Sequence, residues 1–271
     1  MNKVPAFLLI ALIALGATAS GGTPTPTRIV SMTPSITSQL YELHADSRVV
    51  GITAFCPRAN ERQVVVGTYL QPNIERIVSL APDLVLVSKE GTSPEIAPIL
   101  EKFGVPLRAV DPVNSWEDLV ALARTLADTV GARERCVQLE REAVAAVRSI
   151  PAGARSPVVL ALVALDPLVA ASSTSYIGAV IAAAGGRAAL TTGVRYPVLS
   201  PEEVARLNPD IILITGGSET KADVERFRRR FRHVRAVRRG AVYPVDPDVL
   251  CQPTLGNWRR GVTIVAEVLQ R

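Results

Sequence analysis

A fifteen-residue stretch of this chain is written twice. Ile74-Glu75-Arg76-Ile77-Val78-Ser79-Leu80-Ala81-Pro82-Asp83-Leu84-Val85-Leu86-Val87-Ser88 recurs in register, 127 positions later, as Pro201-Glu202-Glu203-Val204-Ala205-Arg206-Leu207-Asn208-Pro209-Asp210-Ile211-Ile212-Leu213-Ile214-Thr215. In both copies a short helical segment ends at Leu-x-Pro-Asp, because proline disfavours helix in the residue before it. A run of branched apolar residues follows and reads as a strand buried on both faces. A second echo, Val110-Asp111-Pro112 against Val245-Asp246-Pro247, agrees with a duplication, although three residues alone would be a chance match. A chain of 271 residues can bury one large core or two modest ones, so two like lobes are allowed by size.

The rest of the pattern alternates short β-branched runs with helical stretches. Strands are expected at Arg28 to Ser31, Arg48 to Ile52, Leu84 to Val87, Leu107 to Val110, Val158 to Val163, Ile211 to Ile214 and Ala241 to Val245. Helices are expected at Ile36 to Leu43, Glu95 to Phe103 and Ala179 to Ala184. Such alternation implies parallel-type sheets covered on both faces. The middle differs. Ser115 can cap a helix that starts at Trp116, and Gly131 can end it. Ala132 to Ser149 then reads as a second helix, about 27 Å long at 1.5 Å per residue, able to act as a stiff strut. The fold class expected is therefore α/β, with two similar lobes joined by a single long backbone helix and a ligand cleft between them. The boundaries expected are a signal peptide over 1–19, a leader over 20–27, an N-terminal lobe over 28–131, the connecting helix over 132–151 and a C-terminal lobe over 152–271.

The signal peptide is expected because one cation, Lys3, precedes an uncharged apolar stretch from Val4 to Ala17, and Ala17-Thr18-Ala19 has the small-x-small form of a cleavage site. A membrane anchor is the weaker reading, since the stretch is shorter than the roughly 20 residues a spanning helix needs. No cysteine follows it to carry a lipid. Export to the periplasm, with cleavage near Ala19, is expected. The formal charge of +5 comes from dispersed arginines that are densest between Arg226 and Arg239. Export removes nucleic acid as a partner, so a solvated helix face is the better reading of that cluster. Two histidines, His44 and His233, are too few for a receptor of naked zinc or manganese. Cys56, Cys136 and Cys251 form no short-spaced metal motif, and an odd count does not make a disulfide framework. Cys56 and Cys251 flank the two segments singled out below, and either face each other across the cleft or stand as separate thiols.

No Gly-x-Ser-x-Gly elbow, phosphate loop or histidine-rich metal motif appears, and no resident cofactor is implied. A lobe-interface cleft is a preferred place for a small-molecule site. An enzyme, or a periplasmic chaperone or sensor for a metal complex, would use the same cleft.

Several segments together resemble the helical-backbone solute receptors of ABC importers, the family of periplasmic cobalamin, haem and iron-siderophore binders. They are Arg28-Ile29-Val30-Ser31-Met32-Thr33-Pro34-Ser35, Val50-Gly51-Ile52, Gly67 to Ile77, Leu80 to Val85, Ala184-Gly185-Gly186, Ser200 to Val204 and Leu207-Asn208-Pro209-Asp210. The resemblance implies a receptor that captures a metal chelate holding cobalt or iron, cobalamin first and ferric siderophore or haem next. It also implies delivery to an inner-membrane permease dimer with its ATPase subunits. Placed motif on motif, it puts pocket rings at Phe55, Tyr69 and Tyr196, and rings suit a broad macrocycle because they combine stacking area with a polar edge. It places a pocket carboxylate at Asp248. Gln252 stands where the cobalamin receptors have arginine, and Ser88 where a large ring is expected. These departures point to a different chelate or to a pocket that uses Trp258, Arg259 and Arg58. Glu75 and Glu202, one per repeat, take the positions through which family receptors meet permease arginines; an acidic residue early in a helix is also common for the macrodipole alone.

Overall fold

A computed structural model describes residues 25–91, 95–151, 156–216 and 221–271; the expected signal peptide and most of the leader lie outside the described residues. The first half runs β1 (Ile29–Ser31), α1 (Pro34–Glu42), β2 (Val49–Ile52), β3 (Val64–Val65), α2 (Ile74–Ser79), β4 (Leu84–Ser88), α3 (Ile96–Lys102), β5 (Leu107–Val110) and α4 (Trp116–Val130). Its sheet has the order β3-β2-β1-β4-β5, every pair parallel. After α5 (Arg133–Arg148), the second half runs β6 (Val158–Leu165), β7 (Leu168–Ala171), α6 (Tyr176–Ala183), β8 (Arg187–Ala188), α7 (Pro201–Leu207), β9 (Ile211–Ile214), α8 (Lys221–Arg230), α9 (Arg235–Arg238), β10 (Val242–Pro244), α10 (Pro247–Leu250) and α11 (Leu255–Leu269). Here β8, β6, β9 and β10 lie side by side in parallel. The order β2-β1-β4-β5 in one lobe is thus β8-β6-β9-β10 in the other.

The repeat explains itself at the turn. Ala81 and Asn208 both sit in left-handed backbone, φ 42° and 41°. The aspartate two residues later ties the strand that follows to its neighbour. Asp83 accepts from the backbone N–H groups of Thr27 and Arg28 at 2.7 and 3.0 Å, leading into β1. Asp210 accepts from Val158 N–H at 3.0 Å, the first residue of β6. Both carboxyls are held below the ordinary aspartate range. At Asp83 burial pushes the other way but is outweighed by the backbone donors, and at Asp210 the Val158 donor leads.

Two features depart from the expectation. β7 pairs antiparallel with β6 and has no parallel counterpart in the first lobe, so the second sheet is mixed. The central helix is also not an isolated strut. Ser115 and Asp118 form a capping box at the start of α4, and Gly131 at φ 69° turns the chain back into α5, which packs on α4 and α11. Leu119, Leu122, Leu126, Leu139, Ala143, Val262 and Val265 belong to one buried cluster that continues into both sheets. The lobes therefore share a core and do not hang on a hinge. A polar joint reinforces it, because Gln39 and Glu42 on α1 receive the backbone N–H groups of Leu255 and Gly256 at the start of α11.

The arginine-rich segment forms α8 and α9 on the surface, where Arg226, Arg228 and Arg235 pair with Asp223, Glu225 and Asp210. His44 and His233 are both exposed. Among the described residues no helix is long and apolar enough to cross a membrane.

Candidate functional site

The carboxyl ends of parallel strands, where ligands gather in open α/β sheets, face each other across the lobe interface. Between them lies a slot of about 170 Å³. Ser88 ends β4, Val110 ends β5, and Asp111 and Pro112 follow; from the other lobe come Tyr176, Arg195, Tyr196 and Cys251. Wider hollows exist on the outer faces, such as one of about 710 Å³ along α4 and α5. That one is an open groove between two helices. The interlobe slot brings rings, a thiol, hydroxyls and opposite charges together from both repeats, and that convergence makes it the candidate site.

Tyr176 opens α6, whose N-cap Ser175 accepts from Gly178 N–H at 3.1 Å. Gly178 is required there, since a Cβ would stand 2.2 Å from the Ser172 carbonyl oxygen. The Tyr176 hydroxyl is buried without a hydrogen-bond partner, and burial, with Glu42 nearby, pushes its pKa far up. Tyr196 is 40% exposed. Its hydroxyl end is desolvated beside Cys251 and Glu90, and its pKa is pushed up to about 12. Both phenols stay protonated at neutral pH and offer donors to a ligand.

Arg195 reaches across the slot. Its Nη2 and Nη1 donate to the two carboxylate oxygens of Glu90 at 2.6 and 3.1 Å, and Nη1 donates to Asn114 Oδ1 at 3.0 Å. Its own carbonyl accepts from Ser172 N–H at 2.9 Å, which fixes the loop that carries it.

Of the residues singled out in the sequence, Ser88 and Tyr196 line the slot. Tyr69 is half-buried, with its ring against Gly91, next to Glu90. Phe55 lies at the end of β2, 66% exposed and outside the lining. Asp248 and Gln252 are joined at 2.6 Å, and Gln252 also receives Ser38 Oγ at 2.8 Å, so this pair links the lobes beside the slot. Trp258 is 4% exposed and stands behind Tyr176, the ring centroids 5.9 Å apart, in the core and not in the lining. Arg58 is spent on the backbone carbonyls of Asn60, Glu61 and Gln63, and Arg259 faces Glu142 on α5. Glu75 and Glu202 occupy the second position of α2 and α7, both exposed.

Cys56 is buried against Thr53 Oγ1 at 3.1 Å, and Cys251 lies 3.4 Å from Thr215 Oγ1; neither forms a disulfide. Sequence reasoning missed Tyr176, Glu90 and Arg195. Tyr176 is hidden in an apolar helix, whereas Arg195 had a signal in its place beside Tyr196. Among the described residues no group of three or more His, Cys, Asp or Glu could hold a metal ion.

Comparison with known proteins agrees with this geometry. A family model described as periplasmic binding protein matches residues 29–249. The chain is 27% identical over 236 residues to the uncharacterized ABC transporter substrate-binding lipoprotein YvrC of Bacillus subtilis, covering 83% of this chain and 74% of that one. It is 26% identical over 233 residues to the vitamin B12-binding protein of Yersinia pestis, covering 84% and 81%. Among solved structures, the periplasmic heme-binding protein BhuT in complex with two hemes superposes with a TM-score of 0.79 at 25% identity, covering 89% of this chain and 97% of that one.

Proposed function

This chain belongs to the periplasmic binding protein family, and from that premise we propose that it is the substrate-binding component of an ABC importer for a metal chelate. Cobalamin, haem and ferric siderophores are the chelate classes, as the relatives named for vitamin B12 and heme suggest. The observation that carries the reading is the slot itself: Ser88 at the end of β4, Tyr176 at the start of α6 and Tyr196 on the loop between β8 and α7 converge from two fused lobes. At about 170 Å³ the slot holds only an edge of such a ligand, below the 300–1,000 Å³ usual for small-molecule pockets. Capture therefore requires the facing loops to part, while the shared core keeps whole-lobe closure small.

Phe55 and Tyr69, both outside the lining, are the proposed extension of the aromatic surface for a ligand wider than the slot. Asp248 and Gln252 fix the loop after β10 against α1. Trp258 supports Tyr176 from behind. Glu75 and Glu202, equivalent in the repeat and exposed, are the proposed contacts to matched cations of a permease dimer, where charge complementarity sets orientation and association rate. The chain is exported and its signal peptide removed near Ala19, and ATP hydrolysis in other subunits drives transport. The bound solute supplies the only cobalt or iron.

The test is purification of the native protein from the periplasm, followed by mass spectrometry of the bound ligand and N-terminus, then titration with cyanocobalamin, haemin and a ferric-siderophore panel. Tight, saturable binding of one chelate without turnover is expected. Failure to bind any of them, or conversion of one to product, would overturn the reading. Glu75→Ala with Glu202→Ala is expected to abolish uptake and leave ligand affinity unchanged.

A further inference from the structure

We infer that Arg195 is the carboxylate anchor of the slot and that Glu90 is its built-in competitor, a carboxylate that occupies the arginine until a ligand carboxylate displaces it. The inference rests on the chelate-receptor reading and narrows it to chelates with free carboxylates. The planar guanidinium meets both oxygens of Glu90 in the two-pronged geometry that distinguishes arginine from lysine. The arrangement is half open to water, the side chains being 31% and 52% exposed, so the pair adds little stability and gives way at small cost. The arginine, in contrast, is held in place: Ser172 fixes its backbone, and Asn114 keeps one prong when Glu90 leaves.

A neutral ligand that parts Glu90 from Arg195 leaves a cation facing Asn114 alone, whereas a ligand carboxylate replaces what it removes. A second observation points the same way. Tyr176, which lines the same slot, has a buried hydroxyl donor with no acceptor. An arginine from the side and an unsatisfied phenol from within make the slot donor-rich, which suits an acceptor-rich ligand. Asp111, the other carboxylate in the lining, is paired with Lys89 at 2.8 Å and makes no contact with Arg195 among the hydrogen bonds of the described residues.

The test compares iron(III) mesoporphyrin, which carries two carboxylates, with its dimethyl ester and with cyanocobalamin, on the full mature chain and on the Arg195→Gln and Glu90→Gln variants. Circular dichroism and thermal melts check that both surface variants fold. Arg195→Gln is expected to weaken the diacid about tenfold or more, the loss typical of a charge-assisted hydrogen-bond pair, and to leave the ester unchanged. Glu90→Gln is expected to tighten the diacid several-fold and not the ester. Equal effects of Arg195→Gln on acid and ester, or weaker diacid binding in Glu90→Gln, would overturn the inference.

Citrate, titrated by calorimetry without any chelate, separates this from the broader reading. Citrate binding to the parent protein that is lost in Arg195→Gln supports the anchor even if no chelate binds. Chelate binding that ignores both variants keeps the receptor reading and sinks the anchor. A protein that binds neither citrate nor any chelate sinks both.

Discussion

Glu42, on the last turn of α1, accepts a 2.5 Å hydrogen bond from Oγ1 of Thr254, the residue that caps α11 212 positions further along the chain. Its other oxygen takes the Gly256 N–H at 2.9 Å, and a Cβ at Gly256 would stand 2.4 Å from the carboxylate, so a side chain there would push Glu42 aside. A side chain of the first lobe thus completes a helix of the second. Glu42→Ala leaves a buried hydroxyl and a helix-terminal N–H without their acceptor, a loss of about 2–3 kcal/mol. Urea unfolding should show that fall in a single transition, because the shared core leaves no lobe to melt alone. Separate transitions in the variant would contradict the shared core.

The same carboxylate gives a pH signature. Burial raises the Glu42 pKa above the ordinary glutamate value, against the hydrogen bonds from Thr254 and Gly256. A carboxyl raised in the folded state binds its proton more tightly there. Its contribution is full below the unfolded pKa and is lost as pH rises through the folded one. Asp83 and Asp210, lowered in the folded state, contribute above the unfolded aspartate pKa and lose that contribution as pH falls below it. Denaturation across pH 3 to 7 should therefore show the parent losing stability relative to Glu42→Gln as pH rises from about 4.5 upward. A constant difference between the two proteins would show that Glu42 does not titrate in this window.

Ala81 and Asn208 hold the same left-handed turn in the two repeats, but only asparagine is suited to it. Asn208 also accepts from Arg235 N–H at 2.8 Å, a bond Ala81 cannot make. Ala81 is exposed, and its substitution disturbs no packing. Ala81→Gly should stabilise the protein by about 1 kcal/mol, and Asn208→Ala should destabilise it by about 1–2 kcal/mol. Opposite signs for the two changes are the outcome to look for in thermal melts.

The contrast between these turns and the interlobe contacts explains what could be read in advance. The Leu-x-Pro-Asp turns, the Ser115 cap and the Gly131 reversal are local, and a few adjacent residues determine them. The repeat then matched β4 in one sheet to β9 in the other. Ser88 and Tyr196 were legible because each sits within a few residues of a strand end or a family motif. Arg195 and Glu90 meet across 105 positions, and Glu42 and Thr254 across 212, with no periodicity to link them. Trp258 illustrates the opposite error, since a ring on a helix carries the same letters whether it faces a cleft or stands one layer behind it.

The thiols should separate by position. Cys251 is exposed in the slot lining, while Cys56 and Cys136 are buried and desolvation pushes the Cys136 thiol up. One thiol should react quickly with a disulfide reagent in the native protein and three after unfolding. Bound chelate should slow the fast one. A native protein with two fast thiols would mean that the loop holding Cys56 opens.

Trp116 and Trp258, the two tryptophans of the chain, pack with centroids 5.1 Å apart and planes inclined at 45°, and Trp258 touches the back of Tyr176. The pair sits one side chain from the slot, in the core that joins the lobes. A strongly coloured chelate in the slot should quench nearly all intrinsic emission in a saturable one-to-one titration. At a hundredfold excess over Kd the same ligand should raise unfolding stability by about 2.7 kcal/mol. Trp258→Phe should keep binding, because the residue does not reach the slot, while Trp116 still reports the quench. Binding seen by calorimetry with unchanged tryptophan emission would place the ligand in one of the outer grooves, and the interlobe slot would then lose its claim to be the site.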